Sequence, residues 1–122
     1  MQKTEKAFKA CPLCNRIWES RSDFLKTSNL RLRGYQADID KIENGLFLFN
    51  HIMDNCGTTL AIPVYEFFDL YQEIRYPKSR FGSDVCEMRC LNRNDLEICG
   101  ADCANAFIRE ILQILKSKLH NK

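Results

Sequence analysis

Long apolar runs are missing from this sequence of 122 residues. A helix that crosses a bilayer needs about 20 predominantly apolar residues, whereas the segment from Gly45 to Asn50 is only strand-sized. The opening residues, MQKTEKAFKA, are polar and basic, with no apolar stretch of signal-peptide length. The expectation is a cytoplasmic protein with no membrane contact. Glycine and proline are scarce, at five and three. No glycine-rich phosphate loop, solenoid repeat or low-complexity segment is present. Histidine is rarer still, with only His51 and His120, and no serine stands in a nucleophile-elbow setting. Glu66, Asp69 and Glu73 share one face of an expected helix, and Asp38, Asp40 and Glu43 belong to a turn. Both groups read as solvated surface. These absences point away from an enzyme and leave no catalytic residue to name.

What the chain does have is seven cysteines. In a reducing compartment, clustered cysteines are more often metal ligands or redox groups than disulfides. Seven is also awkward for a disulfide framework, but it suits two four-ligand sites if one histidine supplies the eighth ligand. The formal charge of +2 then needs correcting, because zinc binds thiolates. Seven thiolates subtract seven charges and two zinc ions restore four, which carries the balance to −1. A strongly basic, nucleic-acid-seeking surface is not implied.

With 45% hydrophobic and 28% charged residues, the composition is ordinary for a globular protein. One domain over 1–122 is expected, with sub-lobes 1–75 and 76–122 divided at the polar loop Tyr76 to Asp84. Ser20-Arg21-Ser22-Asp23 has a capping-box pattern with Asp in the Glu position, so a short helix runs through Phe24 and Leu25. Leu30, Leu32 and Tyr35 mark a strand over Leu30 to Ala37, Asn44-Gly45 a turn, and Leu46 to Phe49 a strand apolar on both faces. Thr58 to Val64 reads as the next strand, which makes His51 to Gly57 a hairpin loop. Val64, Phe67, Phe68, Tyr71 and Ile74 then form one helical stripe from which Leu70 departs. The last helix starts at an Asp102 N-cap and lines up Phe107, Ile108, Ile111, Leu112, Leu115 and Leu119. Trp18 is expected in the core beside the first metal site.

The first ligand signal is Cys11-Pro12-Leu13-Cys14, a tight turn able to aim two sulfurs at one ion. The hairpin loop supplies His51 and Cys56, and the following Gly57 permits a positive φ. Cys11, Cys14, His51 and Cys56 would make a tetrahedron of three thiolates and one imidazole. Over roughly residues 8–64 this arrangement resembles zinc-ribbon and zinc-knuckle proteins, with a CPxC turn followed by a ligand pair in a β-hairpin. It departs from a ribbon in the spacing HxxxxC, where another CxxC is usual. The second signal is Cys86, Cys90, Cys99 and Cys103, two CxxxC pairs eight residues apart. On helical turns each pair would share a face, and Cys103 would sit at a helix N-terminus that favours thiolate. Four-thiolate zinc is the expectation there; two disulfides or an iron–sulfur cluster are the alternatives, although the spacing matches neither ferredoxin pattern.

The expected fold class is therefore α+β: an N-terminal zinc-ribbon-like β unit packed with helices, then a helical C-terminal zinc lobe with four cysteine ligands. Two zinc ions, each with four protein ligands, leave no open position for water and read as structural. The implied function is a non-enzymatic binding or regulatory module that meets a protein partner or a second copy of itself. Two other classes compete. CPLC is similar to the CPxC motif of glutaredoxins, with Ile62-Pro63 in the place of their cis-proline, but a βαβ unit around the motif is lacking. Nucleic-acid binding would use Arg31 and Arg33 on one strand and Arg75, Lys78 and Arg80 with Tyr76 and Phe81 in the loop.

Overall fold

The computed structural model describes residues 7–52 and 56–120. It starts with a two-stranded knuckle in which β1 (Lys9–Ala10) pairs antiparallel with β2 (Ile17–Trp18). A short helix α1 (Arg21–Leu25) follows, and its Ser20 N-cap accepts a hydrogen bond from the Asp23 amide at 3.1 Å. The helix exists mainly to deliver Phe24 and Leu25 to the core, where both are buried.

The centre of the molecule is an antiparallel meander of β3 (Leu30–Gln36), β4 (Leu46–His51) and β5 (Thr59–Pro63), in that spatial order. Leu30 and Leu32 are two apart, whereas Tyr35 is three beyond Leu32 and would ordinarily face the other way. A bulge at Arg33 resolves the conflict: Leu32 faces Phe49, Gly34 faces Leu48, and the extra residue restores the phase. Leu30, Leu32, Tyr35, Phe47, Phe49, Leu60 and Ile62 are all buried as a result. On β4 burial alternates, with Phe47 and Phe49 inside and Leu46 and Leu48 half-covered. The expectation of two equally buried faces is corrected accordingly: only one face of the sheet carries the core.

That face is covered by helix α2 (Ala106–His120), which packs against β3, α1 and the segment after β5. Phe107, Ile108, Ile111, Leu112, Leu115 and Leu119 are buried along it, as its 3.6-residue periodicity requires. The helix begins four residues after Asp102, so Asp102 is not its N-cap and Cys103 lies outside its first turn.

The segment after β5 differs from its expected form. Val64–Leu70 is a 3₁₀ helix, Tyr71 is extended, and Ile74 is 77% exposed. With three residues per turn, Val64, Phe67 and Leu70 share one side, and all three pack in or against the core. Leu70 is thus a core contact, whereas an α-helical reading leaves it facing outward. Phe68 and Tyr71 form a second ridge against Phe107, at ring distances of 4.9 and 5.7 Å.

From Gln72 to Asn105 the only helical or strand element is the 3₁₀ turn Arg89–Leu91. The helical CxxxC pairs expected there do not form. This segment is tied to the free edge of β3 through the Tyr35 amide, which donates to the Arg93 carbonyl at 2.8 Å.

Candidate metal centre

The turn joining β1 to β2 is closed by the Cys11 amide on Arg16 O at 2.8 Å and the Asn15 amide on Cys11 O at 2.9 Å. Asn15 adopts the left-handed region at φ 66°, which asparagine tolerates better than most residues. The turn places Cys11 and Cys14 on one side. Facing them, His51 ends β4 and Cys56 precedes β5. His51 sits there because its amide donates to Thr58 O at 2.9 Å and the next amide, of Ile52, donates to Asn29 O at 2.7 Å.

The four ligand atoms all lie within 4.8 Å of one another. Cys11 Sγ is 3.6 Å from Cys56 Sγ, and His51 Nδ1 is 3.5 Å from both Cys14 Sγ and Cys56 Sγ. These are not disulfide distances, and every cysteine is a free thiol. A metal 2.3 Å from each sulfur of a tetrahedron sets the sulfurs about 3.8 Å apart, so this Cys₃His cluster could hold a metal ion. Its inner wall is Trp18, whose ring meets the His51 imidazole edge-on at 5.1 Å. Trp18 itself is fixed by its indole N–H on Thr27 Oγ1 at 2.8 Å.

The electrostatics of the cluster favour a cation. Burial opposes ionisation of Cys11, but the Cys14 amide, the His51 ring and the Leu13 amide outweigh it and bring the thiol down to about 6. The Arg16 amide favours the Cys14 thiolate, yet burial and the neighbouring thiols of Cys11 and Cys56 push that thiol up. One thiolate forms readily and a second is resisted by the first, a repulsion that a bound cation removes.

Comparison of the chain with protein-family models, curated proteins and solved structures gives no match. The chemistry rests on the residues alone.

The second set of predicted ligands is placed differently. Among the described residues, the first set is the only group whose donor atoms gather at single-ion spacing, so no three of Cys86, Cys90, Cys99 and Cys103 do so. All four nevertheless line one small cavity. Two residues beside them carry no signal in the cysteine spacing. Asn105 is buried and bridges Tyr35 to Cys90, accepting from the Tyr35 hydroxyl at 2.8 Å and donating to Cys90 Sγ at 2.9 Å. Arg109 is fully buried in the apolar stripe of α2. A cation inside the run Ile108, Ile111 and Leu112, four residues after Asn105, was the legible clue.

Positions invoked for the competing functions have other occupations. Cys11, the first thiol of CPLC, is 1% exposed, whereas the attacking thiol of an oxidoreductase must be accessible. The Ile62–Pro63 bond is trans. Arg75 lies over the Phe107 ring at 3.9 Å and the Phe68 ring at 5.2 Å, and Arg31 donates to the carbonyls of Ser28 and Leu30. No helix among the described residues is long and apolar enough to cross a membrane.

Proposed function

We propose that this chain is a small zinc-binding protein of the binding or regulatory type, with a structural zinc ion held by Cys11, Cys14, His51 and Cys56. The observation that carries the reading is the convergence of three sulfurs and one imidazole nitrogen, from two separate hairpins, at 3.5 and 3.6 Å spacing. Soft thiolates with one imidazole suit zinc. Four protein ligands leave no coordination position for water, so the ion ties the knuckle to the β4–β5 hairpin and activates no substrate. Resemblance to zinc-ribbon and zinc-knuckle proteins is consistent with the same role.

A binding role is supported by apolar side chains left at the rim of this centre. Leu13 and Ile17, in and after the turn, are 60% and 54% exposed, and Ile52, next to His51, is 45% exposed. A protein partner or a second copy of the chain would cover them. The basic positions are partly spent on internal contacts, which makes nucleic acid the lesser reading.

The test is native mass spectrometry with elemental analysis of freshly purified full-length protein. Zinc should be present, its amount should fall by one ion per chain in Cys14→Ser, and its chelation should change Trp18 fluorescence. An unchanged zinc content per chain in both Cys14→Ser and Cys56→Ser would refute the assignment.

A further inference from the structure

Helix α2 has a second side, turned away from the core, and that side is not uniformly polar. Glu110, Ser117 and Lys118 are exposed there, and Ile114 is half-buried. Next to it runs the end of the 3₁₀ segment, where Leu70 and Tyr71 are half-buried against the core. The two elements wall an open groove of about 600 Å³, and Leu70, Tyr71 and Ile114 are its apolar lining.

The groove carries opposite charges at its two ends. Tyr71 packs on Phe107 at 5.7 Å and Arg75 lies over the same ring at 3.9 Å, so the chain after Leu70 runs toward the N-terminal end of α2. Glu73 therefore joins Glu110 at that end, and both line the groove. At the other end Leu70 and Lys118 also line a neighbouring groove, where Lys26 adds a second exposed ammonium. Arg21 and Glu66 stand there too, with the Arg21 guanidinium committed to Asp69. Among the described residues neither Glu110 nor Lys118 has an ion-pair partner. Nor does α2 supply one: Gln113 and Ile114 lie three and four residues after Glu110, and Leu115 and Ile114 three and four before Lys118.

Glu110, Ile114 and Lys118 fall four residues apart on one side of the helix, so Ile114 is midway between charges set about 12 Å apart. A two-fold axis passing beside Ile114 would bring a second copy's α2 alongside, running antiparallel. Ile114 then meets its own equivalent, and Glu110 of each copy meets Lys118 of the other. The opposed helix dipoles add to the attraction. Parallel helices would instead set glutamate against glutamate and lysine against lysine, which the charges disfavour. A patch of one sign would call for a partner of the other sign. A patch acidic at one end and basic at the other, symmetric about an apolar centre, is complementary to itself. We infer that a second copy of this chain docks on this groove, forming a two-fold dimer through antiparallel α2 helices with Ile114 at the centre. The groove is short and only partly apolar, which places the dimer among the smaller, exchanging interfaces rather than the obligate ones. The inference rests on the binding reading, to which it gives one partner and one surface, and it uses neither the zinc ligands nor the knuckle rim.

The experiment is sedimentation velocity, with light-scattering gel filtration, on the zinc-loaded full-length chain over a concentration series. A dimer that dissociates on dilution is expected. Glu110→Lys and Lys118→Glu each create two like-charged pairs in the interface and should raise the dissociation constant by about tenfold or more. Mixed in equal amounts, the two variants should dimerise with each other at close to wild-type strength, because every pair again joins a lysine to a glutamate. Both positions are exposed, and unchanged near-UV circular dichroism checks that the variants keep the fold. A monomer at every concentration would overturn the inference and leave the groove to a different protein. A dimer that neither variant weakens would also overturn it, and would move the contact to another face such as the knuckle rim. Weakening in both variants without recovery in the mixture would exclude the antiparallel pairing. Zinc per chain, measured on the same samples, should stay constant throughout, so none of these outcomes bears on the first centre.

Discussion

His51 is one of only two histidines, and the fold buries it completely between Trp18 and two sulfurs. Its Nδ1 faces the sulfurs, and its Nε2 is buried without a partner among the described residues. With Nδ1 turned to the sulfurs, the ring is placed as the proposed fourth ligand, which makes a substitution series informative. His51→Cys supplies a fourth thiolate and should keep zinc, whereas His51→Ala should cost more than the roughly 10–100-fold in affinity that loss of an outer-shell partner costs. Competition with a chromophoric chelator measures both. Cys11 supplies a pH signature in the metal-free chain. Its thiol titrates near 6 when folded and near 9.0 when not, so the folded state holds the lower pKa. The resulting stabilisation is full above about 9, declines as pH falls, and is gone below about 6. Urea unfolding of metal-free protein at the two ends of that window should show higher stability at the alkaline end, with the slope reduced in Cys11→Ser. At this scale the group of Cys11, Cys14, His51 and Cys56 could be read from the CPLC turn and a hairpin carrying His51 and Cys56, and the structure brings these four together. Asn105 and Arg109 were not legible, because their partners lie far away in sequence and only the folded chain brings them to the sulfurs.

Among the elements, strands β3 to β5 and helix α2 follow from period and β-branched or aromatic content, since each buries one side against the other. The segment after β5 did not follow. Val64, Phe67, Phe68 and Tyr71 satisfy helical spacing, but so does a three-residue repeat of Val64, Phe67 and Leu70, and packing against the core selects the latter. The two readings differ at Ile74, which an α-helix would bury and the observed chain exposes. Ile74→Ala should therefore change stability by no more than about 0.5 kcal/mol, while Phe67→Ala should cost about 3–5 kcal/mol. Chemical denaturation of the two variants decides; equal, large losses would restore the α-helix. The helical CxxxC pairs failed for a related reason. Residues 86–103 carry no apolar stripe that could dock a helix, so spacing alone had nothing to pack. The bulged strand β3 meets that segment at Gly34, where an added Cβ would stand 2.7 Å from the Arg93 carbonyl oxygen. Backbone cannot yield as a side-chain tip can. Gly34→Ala should cost about 1–3 kcal/mol, as overpacking does, and thermal unfolding would register it.

On the scale of the whole molecule, two kinds of cohesion divide the chain. The meander and α2 share one cluster of buried aliphatic and aromatic side chains from Trp18 to Leu119. Ring contacts run through it from Trp18 to Phe24 and Phe49, then to Phe67, Phe47 and Tyr35. Burial on this scale, at about 1.5–3 kcal/mol for each large side chain, needs no metal. The knuckle has two-residue strands, and the segment from Gln72 to Asn105 has almost no buried apolar surface. On the proposed reading, the knuckle takes its cohesion from an ion held by Cys11, Cys14, His51 and Cys56. Stability should accordingly be uneven, with local opening where metal supplies the cohesion and global opening in the sheet. Hydrogen exchange of the full-length chain before and after chelation can read this residue by residue. Amides of Cys11 and Asn15 in the knuckle should lose protection by tenfold or more. Those of Phe47, Phe49 and Ile111 should keep theirs. Uniform loss across all of these would mean that the ion holds up the hydrophobic core as well, and would place the whole fold under its control.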